Sequence, residues 1–494
     1  MELSTLIDIL YIVGVALLLA YISVQGRKIL RFLYLTTKVP GLSIREYIDV
    51  YINGLLSDNM LEEAYKKCQE RNHKPYGIWV GPVFSVSLSD CESMSQVLKS
   101  KTINDKPDVL HKVGREYLGN GLLTLNGPGY RKHRKILSPT FRPSILESQL
   151  ARINEQTGKL MARLRAEASD EPLDVRSLVS RHADAMALLI FAEGRCDLEA
   201  LDKWVKVLHL AGVQVQMRIT NPIYYWFVHK LKKSTWETER KIKAGLSAAK
   251  SALREARATR TQSDPDRPTC LLDAMAVGDG QDHLSDEEFL DEGITLLAGA
   301  AETTGFAMNV SLLLLALHQD VQQRLYDEVQ AVLGKRPRAV RADDLPEMPY
   351  LDMFVKETLR LFPPIPFVTR QLHHDTKIGD LLLPAGCALG LNVHALHRNA
   401  AVFEEPSCFD PERFSPERAQ SRHRFAFLPF SYGIRNCPGQ MHGMTMLKIF
   451  LSHVVRNFSI SPGNGLTSVR DIKVKMYFTC YLNESSLRFV SRTD

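Results

Sequence analysis

From Ser285 to about Leu317 the chain runs through one continuous stretch of apolar and small residues, and this stretch sets the scale of anything it can fold into. Ser285, followed three residues on by Glu288, makes a capping box, in which each side chain satisfies a free backbone N–H at a helix start. About 30 residues at ~1.5 Å each give a helix long enough to span a whole domain. Its middle reads Leu297-Ala298-Gly299-Ala300-Ala301-Glu302-Thr303-Thr304-Gly305. An acid and two hydroxyls are poor material for a helix core. The small residues beside them leave room for a ligand, and Thr303 can bond back to a carbonyl and loosen the turn. A close ridge-into-groove helix crossing is the alternative use of such small residues.

A second stretch gives the ligand a chemistry. Phe430-Ser-Tyr-Gly433-Ile-Arg435-Asn-Cys437-Pro-Gly439 places Phe, Gly, Arg, Cys and Gly at offsets 0, 3, 5, 7 and 9. A lone cysteine is more often a small buried hydrophobe than a ligand. Agreement at five positions reverses that weighting, because each has a task if Cys437 is a thiolate on haem iron. Gly433, without a Cβ, lets the backbone approach a flat cofactor. Arg435 can hold a haem propionate through charge-assisted hydrogen bonds. Pro438 suits the first position of a helix running to Val454. Cys437 would then sit at that helix's N-terminus, where free N–H groups favour the anionic sulfur. Phe430 would shield the sulfur, and Gly439 would let the helix pack under the ring. The segment resembles the haem-binding signature of the cytochrome P-450 family.

The resemblance extends to other parts of the chain. The run around Glu302 and Thr303 resembles the family's oxygen-binding helix, in which an acid and a threonine organise protons. Many members of the lipid-oxidising branch carry a glutamate three positions before that acid, where it can form an ester with a haem methyl; here the position is Gly299. Tyr130 and Arg134, four apart on one helix face, resemble a Trp-x-x-x-Arg pair that binds propionate, with a phenol in place of the indole. Arg370 lies where the family often places another propionate ligand. Glu357-x-x-Arg360 before Pro363-Pro364, with Pro411-Glu-Arg413-Phe, resembles the family's buried ion network of Glu357, Arg360 and Arg413. By itself Glu-x-x-Arg says little, since exposed pairs of this kind are common.

Composition narrows the alternatives. The 494 residues carry a net charge of +6 and eight cysteines without a C-x-x-C pair, which argues against zinc modules and disulfide scaffolds. The mild basicity suits a docking face or an acidic membrane better than nucleic acid. Length alone would suggest about three domains, although large single-core enzymes depart from that prior. His373, His394 and His397 match no metal-ligand spacing.

Ile9 to Val24 is an uncharged apolar run that, with its neighbours, just covers the ~20 residues a bilayer requires. Glu2 and Asp8 precede it, and Arg27, Lys28, Arg31 and Lys38 follow, so the positive-inside rule leaves the body of the chain in the cytosol. A cleaved signal peptide is the alternative, disfavoured by the absence of a positive n-region. The expected organisation is an anchor over 1–26, a linker over 27–42 broken at Lys38-Val-Pro40-Gly41, and a catalytic domain over 43–494.

Other elements read more coarsely. Asp58–Arg71 reads as a helix, Tyr76–Leu88 as a strand, and Ser89 or Asp90 as the cap of a helix to Leu98. Glu147–Arg257 reads as mostly helices, with an aromatic and basic patch, Asn221–Phe227 and Lys230–Lys233, suited to a membrane interface. Ala258–Asp282 reads as a surface loop, Asp320 with Gln323 as a helix cap, Lys377–Leu391 as short strands, and Ile472–Phe489 as a hairpin turning at Asn483 whose apex can touch substrate.

Together these imply a mainly α fold with a small β-rich lobe, the P-450 fold, behind one N-terminal transmembrane helix. The implied cofactor is haem b with an axial thiolate from Cys437. The implied reaction inserts one oxygen atom of O2 into a lipophilic substrate. Electrons would come from an NADPH-dependent flavoprotein reductase or cytochrome b5 at a basic proximal face, with the chain in the endoplasmic reticulum membrane. An isomerase or dehydratase acting on peroxides needs no Glu302–Thr303 pair, and a haem binder without turnover yields no product. Dioxygen and NADPH consumption and product analysis separate these rivals.

Overall fold

The computed structural model describes residues 23, 25–49, 60–80, 83–168, 171–192, 198–220, 233–258, 270–276, 283–334, 336, 338–463, 465–477, 479–483 and 485–492. The apolar run Ile9–Val24, apart from Ser23, and the segment Asn221–Phe227 lie outside them.

The helix capped by Ser285 spans Asp286–Leu317, 32 residues. Glu288 accepts the Ser285 N–H at 2.8 Å, and the Ser285 hydroxyl accepts the Glu288 N–H at 3.3 Å. By length and apolarity it could cross a membrane, yet 78% of its most apolar window is buried inside the fold. It is a core helix, apolar on all sides because it is wrapped on all sides. Helices Arg176–Ala192, Lys233–Ala258, Pro349–Leu361 and Gln440–Asn457 pack against it, and together they hold the larger hydrophobic core.

A β-rich lobe holds a smaller core. In chain order the strands are β1 (Tyr76–Val80), β2 (Val83–Leu88), β3 (Leu173–Asp174), β4 (Phe367–Gln371), β5 (Thr376–Ile378), β6 (Leu381–Leu383), β7 (Ala388–Asn392), β8 (Phe458–Pro462), β9 (Val474–Met476), β10 (Cys480–Leu482) and β11 (Ser486–Ser491); β2 and β4–β7 enclose the smaller core, whereas β3 and β8–β11 pack on the larger one. The main sheet runs β1-β2-β7-β4, with β2 and β7 parallel. β3-β11-β8 form a second sheet, and β5-β6 and β9-β10 are two-stranded pairs. The resulting architecture is mainly helical with small sheets.

Several local expectations are met by neighbouring solutions. Tyr76–Leu88 is an antiparallel hairpin, with Tyr76 opposite Ser87, rather than one strand. The C-terminal hairpin turns between Met476 and Cys480, not at Asn483. β11 leaves it to pair with β8, where Phe489 and Phe458 meet edge to face at 5.5 Å and Leu487 and Phe489 are buried. Alternation marks a strand but not its partner; burial of these two rings settles the pairing. Within the expected surface loop 258–282, Leu271–Ala276 is a helix with Cys270, Leu271 and Leu272 buried. The helix after the core helix starts at Gln319, and its preceding residue His318 makes no side-chain cap. Gln322 instead donates to the Ile460 carbonyl at 2.8 Å.

The stretch read as a linker is helical over 25–38 and docks on the β lobe. Arg31 pairs with Asp375 at 2.6 Å, and Phe32 meets Trp79 and Phe84 edge to face. The break falls after Lys38, where Val39 and Pro40 follow. Asp90 caps the helix Cys91–Lys99, accepting the Ser93 N–H at 2.8 Å.

Candidate active site

The loop carrying Cys437 is folded against itself by its own backbone. The Cys437 N–H donates to the Phe430 carbonyl at 2.9 Å, and the Asn436 N–H to that of Gly433 at 3.1 Å. Because its N–H is spent in closing the loop, Cys437 lies ahead of the helix. That helix begins at Gln440 with Gly439 as its cap, so Pro438 is not its first residue. Gly433 has φ +78°, and a Cβ there would stand 2.4 Å from the Leu98 carbonyl oxygen. Glycine at 433 is thus demanded by the chain's own packing, whatever lies on the loop's other side. Ser431, at φ 58°, carries the left-handed conformation without glycine's exemption, at a cost of about 1–2 kcal/mol.

Tyr130 and Arg134 project from the helix Gly127–Leu137 and clamp this loop. The Tyr130 hydroxyl donates to the Ile434 carbonyl at 2.8 Å. Arg134 donates to the carbonyl and the side-chain oxygen of Asn436 at 3.0 and 2.7 Å. The arginine fork expected on a propionate is here engaged in fixing the residue before the cysteine.

Beside the clamp lies a knot of buried cations. The Arg435 guanidinium stacks on the Tyr130 ring at 3.4 Å and donates to the Asn104 carbonyl at 2.9 Å and the Asn126 side chain at 2.8 Å. Its Nη1 is buried without a hydrogen-bond partner. Arg370, 2% exposed, donates to the Thr369 carbonyl at 2.8 Å. Burial and the nearby Arg435 charge pull its pKa down to about 10. Lys106, which no motif singled out, sits beside both and is held well below the lysine range by burial and by these two arginines. The carboxylate that answers this group is Asp105, 3.6 Å from Arg435 and shared with His373 at 3.0 Å. Desolvated cations in excess of their counter-charges suit a dianionic group such as a pair of propionates.

Cys437 itself has an exposed thiol, although surrounding protein dries it enough to push its pKa up, against the pull of the Gly439 N–H and Arg134. Contact with solvent inside such desolvating surroundings describes a sulfur on the wall of a hollow. Phe430 packs on the edge of the main core, and a Cβ at Gly439 would stand 4.0 Å from the sulfur. In the core helix Gly299 is exposed, between buried Ala298 and half-buried Ala300, and a Cβ there would meet nothing within 4 Å. The Thr303 hydroxyl donates back to the Gly299 carbonyl at 2.8 Å. Glu302 accepts a hydrogen bond from Thr479 at 2.8 Å, and burial raises its carboxyl above the usual range.

Away from this hollow, Glu357, Arg360 and Arg413 meet in full burial. Arg360 grips Glu357 through two bonds of 2.6 and 2.8 Å and donates to the carbonyls of His397, Pro406 and Cys408. Arg413 stands 3.4 Å from Glu357 and donates to the carbonyls of Glu404 and Glu405. His397, fully buried and kept neutral at a pKa of about 3, accepts the Leu428 N–H at 2.9 Å. Its other nitrogen bonds the Arg360 carbonyl at 3.1 Å. The network is thereby joined to the approach of the cysteine loop. Lys106, Thr479 and His397 are the participants that sequence reasoning missed. Each is brought in by tertiary placement and carries no local motif.

A soft sulfur two residues from an arginine that belongs to a group of undercompensated cations has the donor set of a haem-thiolate site. The sequence matches the Cytochrome P450 family model over residues 47–479, and the chain belongs to that family. It is 29% identical to Cytochrome P450 4c21 of Blattella germanica over 94% of this chain and 95% of that protein. It is 32% identical to human Cytochrome P450 4V2 over 81% and 79% respectively. The fold superposes on the cytochrome P450DA heme domain with a TM-score of 0.79 at 19% identity, covering 92% of this chain and 98% of the other. The chain is therefore a haem-thiolate monooxygenase that takes oxygen, electrons and a lipophilic substrate.

Proposed function

We propose that this chain holds haem b through Cys437 and oxidises a fatty acid or a comparable lipophilic compound (terpenoid, steroid or xenobiotic) at the membrane of the endoplasmic reticulum. The observation that carries this reading is the exposed Cys437 thiol beside the undercompensated cations Arg370, Arg435 and Lys106. When bound, haem supplies the oxygen-activating chemistry that a thiolate ligand favours. The residues supply the rest. Lys106, Arg370 and Arg435 offer charge to the propionates, and Tyr130 and Arg134 keep the cysteine loop in place. Phe430 and Gly439 flank the sulfur. Glu302 and Thr303 hold and move protons beside the open surface at Gly299. Glu357, Arg360 and Arg413 brace the loop from behind.

Electrons come from an NADPH-dependent flavoprotein reductase or cytochrome b5, and Ile9–Val24 tethers the domain with its catalytic part in the cytosol. The helix over 25–38, basic and apolar by turns, connects the two. Branch membership motivates the fatty-acid class, since the similar proteins of cockroach and human are both P450 4 proteins. Gly299 offers no carboxylate for an ester to a haem methyl, so acid–organic extraction should remove all the haem.

Reduced protein with carbon monoxide should show the strongly red-shifted Soret band of thiolate ligation, and Cys437→His should lose it. Retention of that band in Cys437→Ala would sink the assignment. Difference spectra against fatty acids, terpenoids, steroids and xenobiotics select the substrate class. Resistance to carbonate extraction with a protease-accessible C-terminus checks the topology.

A further inference from the structure

The acid of the core helix is held by a residue from the far end of the chain. Thr479 lies in the turn between β9 and β10, where the Tyr477 N–H donates to its carbonyl at 3.1 Å. Its hydroxyl donates to Glu302 Oε2 at 2.8 Å. Among the described residues no other side chain bonds to Glu302, and no charged group shifts it; burial raises its pKa and Thr479 alone opposes that rise.

The hairpin bearing Thr479 is itself tied down. The Cys480 N–H donates to the Pro364 carbonyl at 2.9 Å. Tyr477 and Tyr481 stack at 5.1 Å with their hydroxyls 3.1 Å apart. In the amide orientation that satisfies its surroundings, Gln216 donates to the Met476 and Tyr477 carbonyls at 2.9 and 3.1 Å. Gln216 belongs to the helix Leu198–Thr220. One short hairpin thus connects that helix to the carboxyl group of Glu302.

We propose that Thr479 is the positioning residue for proton transfer by Glu302, orienting its carboxyl group from the C-terminal hairpin. This rests on the reading of Glu302 as the proton-handling acid. A threonine hydroxyl is suited to the task because it donates to the ionised carboxylate and accepts from the protonated one, keeping Glu302 partnered through both halves of a transfer. Valine keeps the shape and removes the partner, which leaves the carboxylate buried and unsatisfied.

The test uses the full-length haem-loaded protein with Thr479→Val, Thr479→Ser and Glu302→Gln. Thr479→Val should lower the product formed per dioxygen consumed by roughly five- to tenfold and move the acid limb of its pH profile upward. Thr479→Ser should restore both to within about twofold. Independently of turnover, the carboxyl infrared band that disappears in Glu302→Gln should shift in Thr479→Val and stay in place in Thr479→Ser. If Glu302→Gln leaves coupling unchanged, the underlying reading of Glu302 fails. If Glu302→Gln uncouples while Thr479→Val changes neither band nor coupling, the positioning role is overturned. Failure of serine to restore Thr479→Val would equally reduce Thr479 to a packing residue.

Discussion

Two buried clusters of arginine lie within one fold, and they are built on opposite terms. Around Glu357 the charges have a carboxylate at their centre: Arg360 makes a two-bond grip on it, Arg413 Nε stands 3.4 Å from it without a hydrogen bond, and the remaining donors of both arginines go to carbonyls of the segment 397–408. Around Tyr130 they do not. Arg370, Arg435 and Lys106 crowd one another, Arg435 alone of the three is paired with the partly exposed Asp105 among the described residues, and Arg435 Nη1 is left without a partner. The first arrangement belongs to a site whose job is finished when the chain folds. The second is a site that the chain alone does not complete. Breaking a completed buried pair strands a charge, whereas removing a surplus cation relieves one.

The contrast is tested hardest at Glu357. Glu357→Gln should cost about 3–5 kcal/mol of stability, because Arg360 and Arg413 lose their counter-charge at sites of essentially no exposure. Denaturant unfolding of the haem-free chain measures this, and a loss below about 1 kcal/mol would show that the carbonyls alone satisfy the two arginines. Arg370→Met should move the other way. Its pKa, pulled down to about 10, marks a cation that the fold penalises, so the haem-free variant should gain roughly 1–3 kcal/mol. The same change should speed haem transfer to an apo-globin acceptor. A haem-free protein destabilised by Arg370→Met, or haem loss at the parent rate, would erase the distinction between the clusters.

How much of this was legible from the residues depends on which kind of signal carried it. The core helix announced itself through Ser285, Glu288 and continuous apolarity, all local, and the structure returns it to within a residue. Cys437 and Arg435 stand out in the sequence because loop geometry compresses many requirements into ten positions. Lys106 does not, since its burial depends on the company of Arg370 and Arg435, far away in the chain. The β9–β10 hairpin was placed wrongly because alternation cannot say which neighbour a strand will choose. The correct turn is what puts Thr479 on Glu302. The pairing of Arg134 with Tyr130 and its resemblance to a propionate-binding pair are legible, while its bond to the Asn436 side chain at 2.7 Å, 302 residues away, is not.

Glu302 is a third case, a desolvated carboxyl group whose one side-chain partner among the described residues is neutral, and its stability effect should change with pH in a way neither cluster's does. Burial raises its folded pKa above the ordinary glutamate range, with Thr479 opposing. For a carboxyl raised on folding, the favourable contribution is complete below the unfolded pKa and is lost as pH rises through the folded one. Glutamine does not titrate. The melting temperature of Glu302→Gln relative to the parent should therefore be lowest at acid pH, below the ordinary glutamate pKa, and climb as the parent's carboxyl ionises. Thr479→Val removes the hydroxyl that favours the ionised form, so on that background the climb should begin at higher pH and end larger. A difference between Glu302→Gln and parent that is flat across this range would mean that Glu302 is as well answered as Glu357, and the hollow beside Gly299 would hold no strained acid.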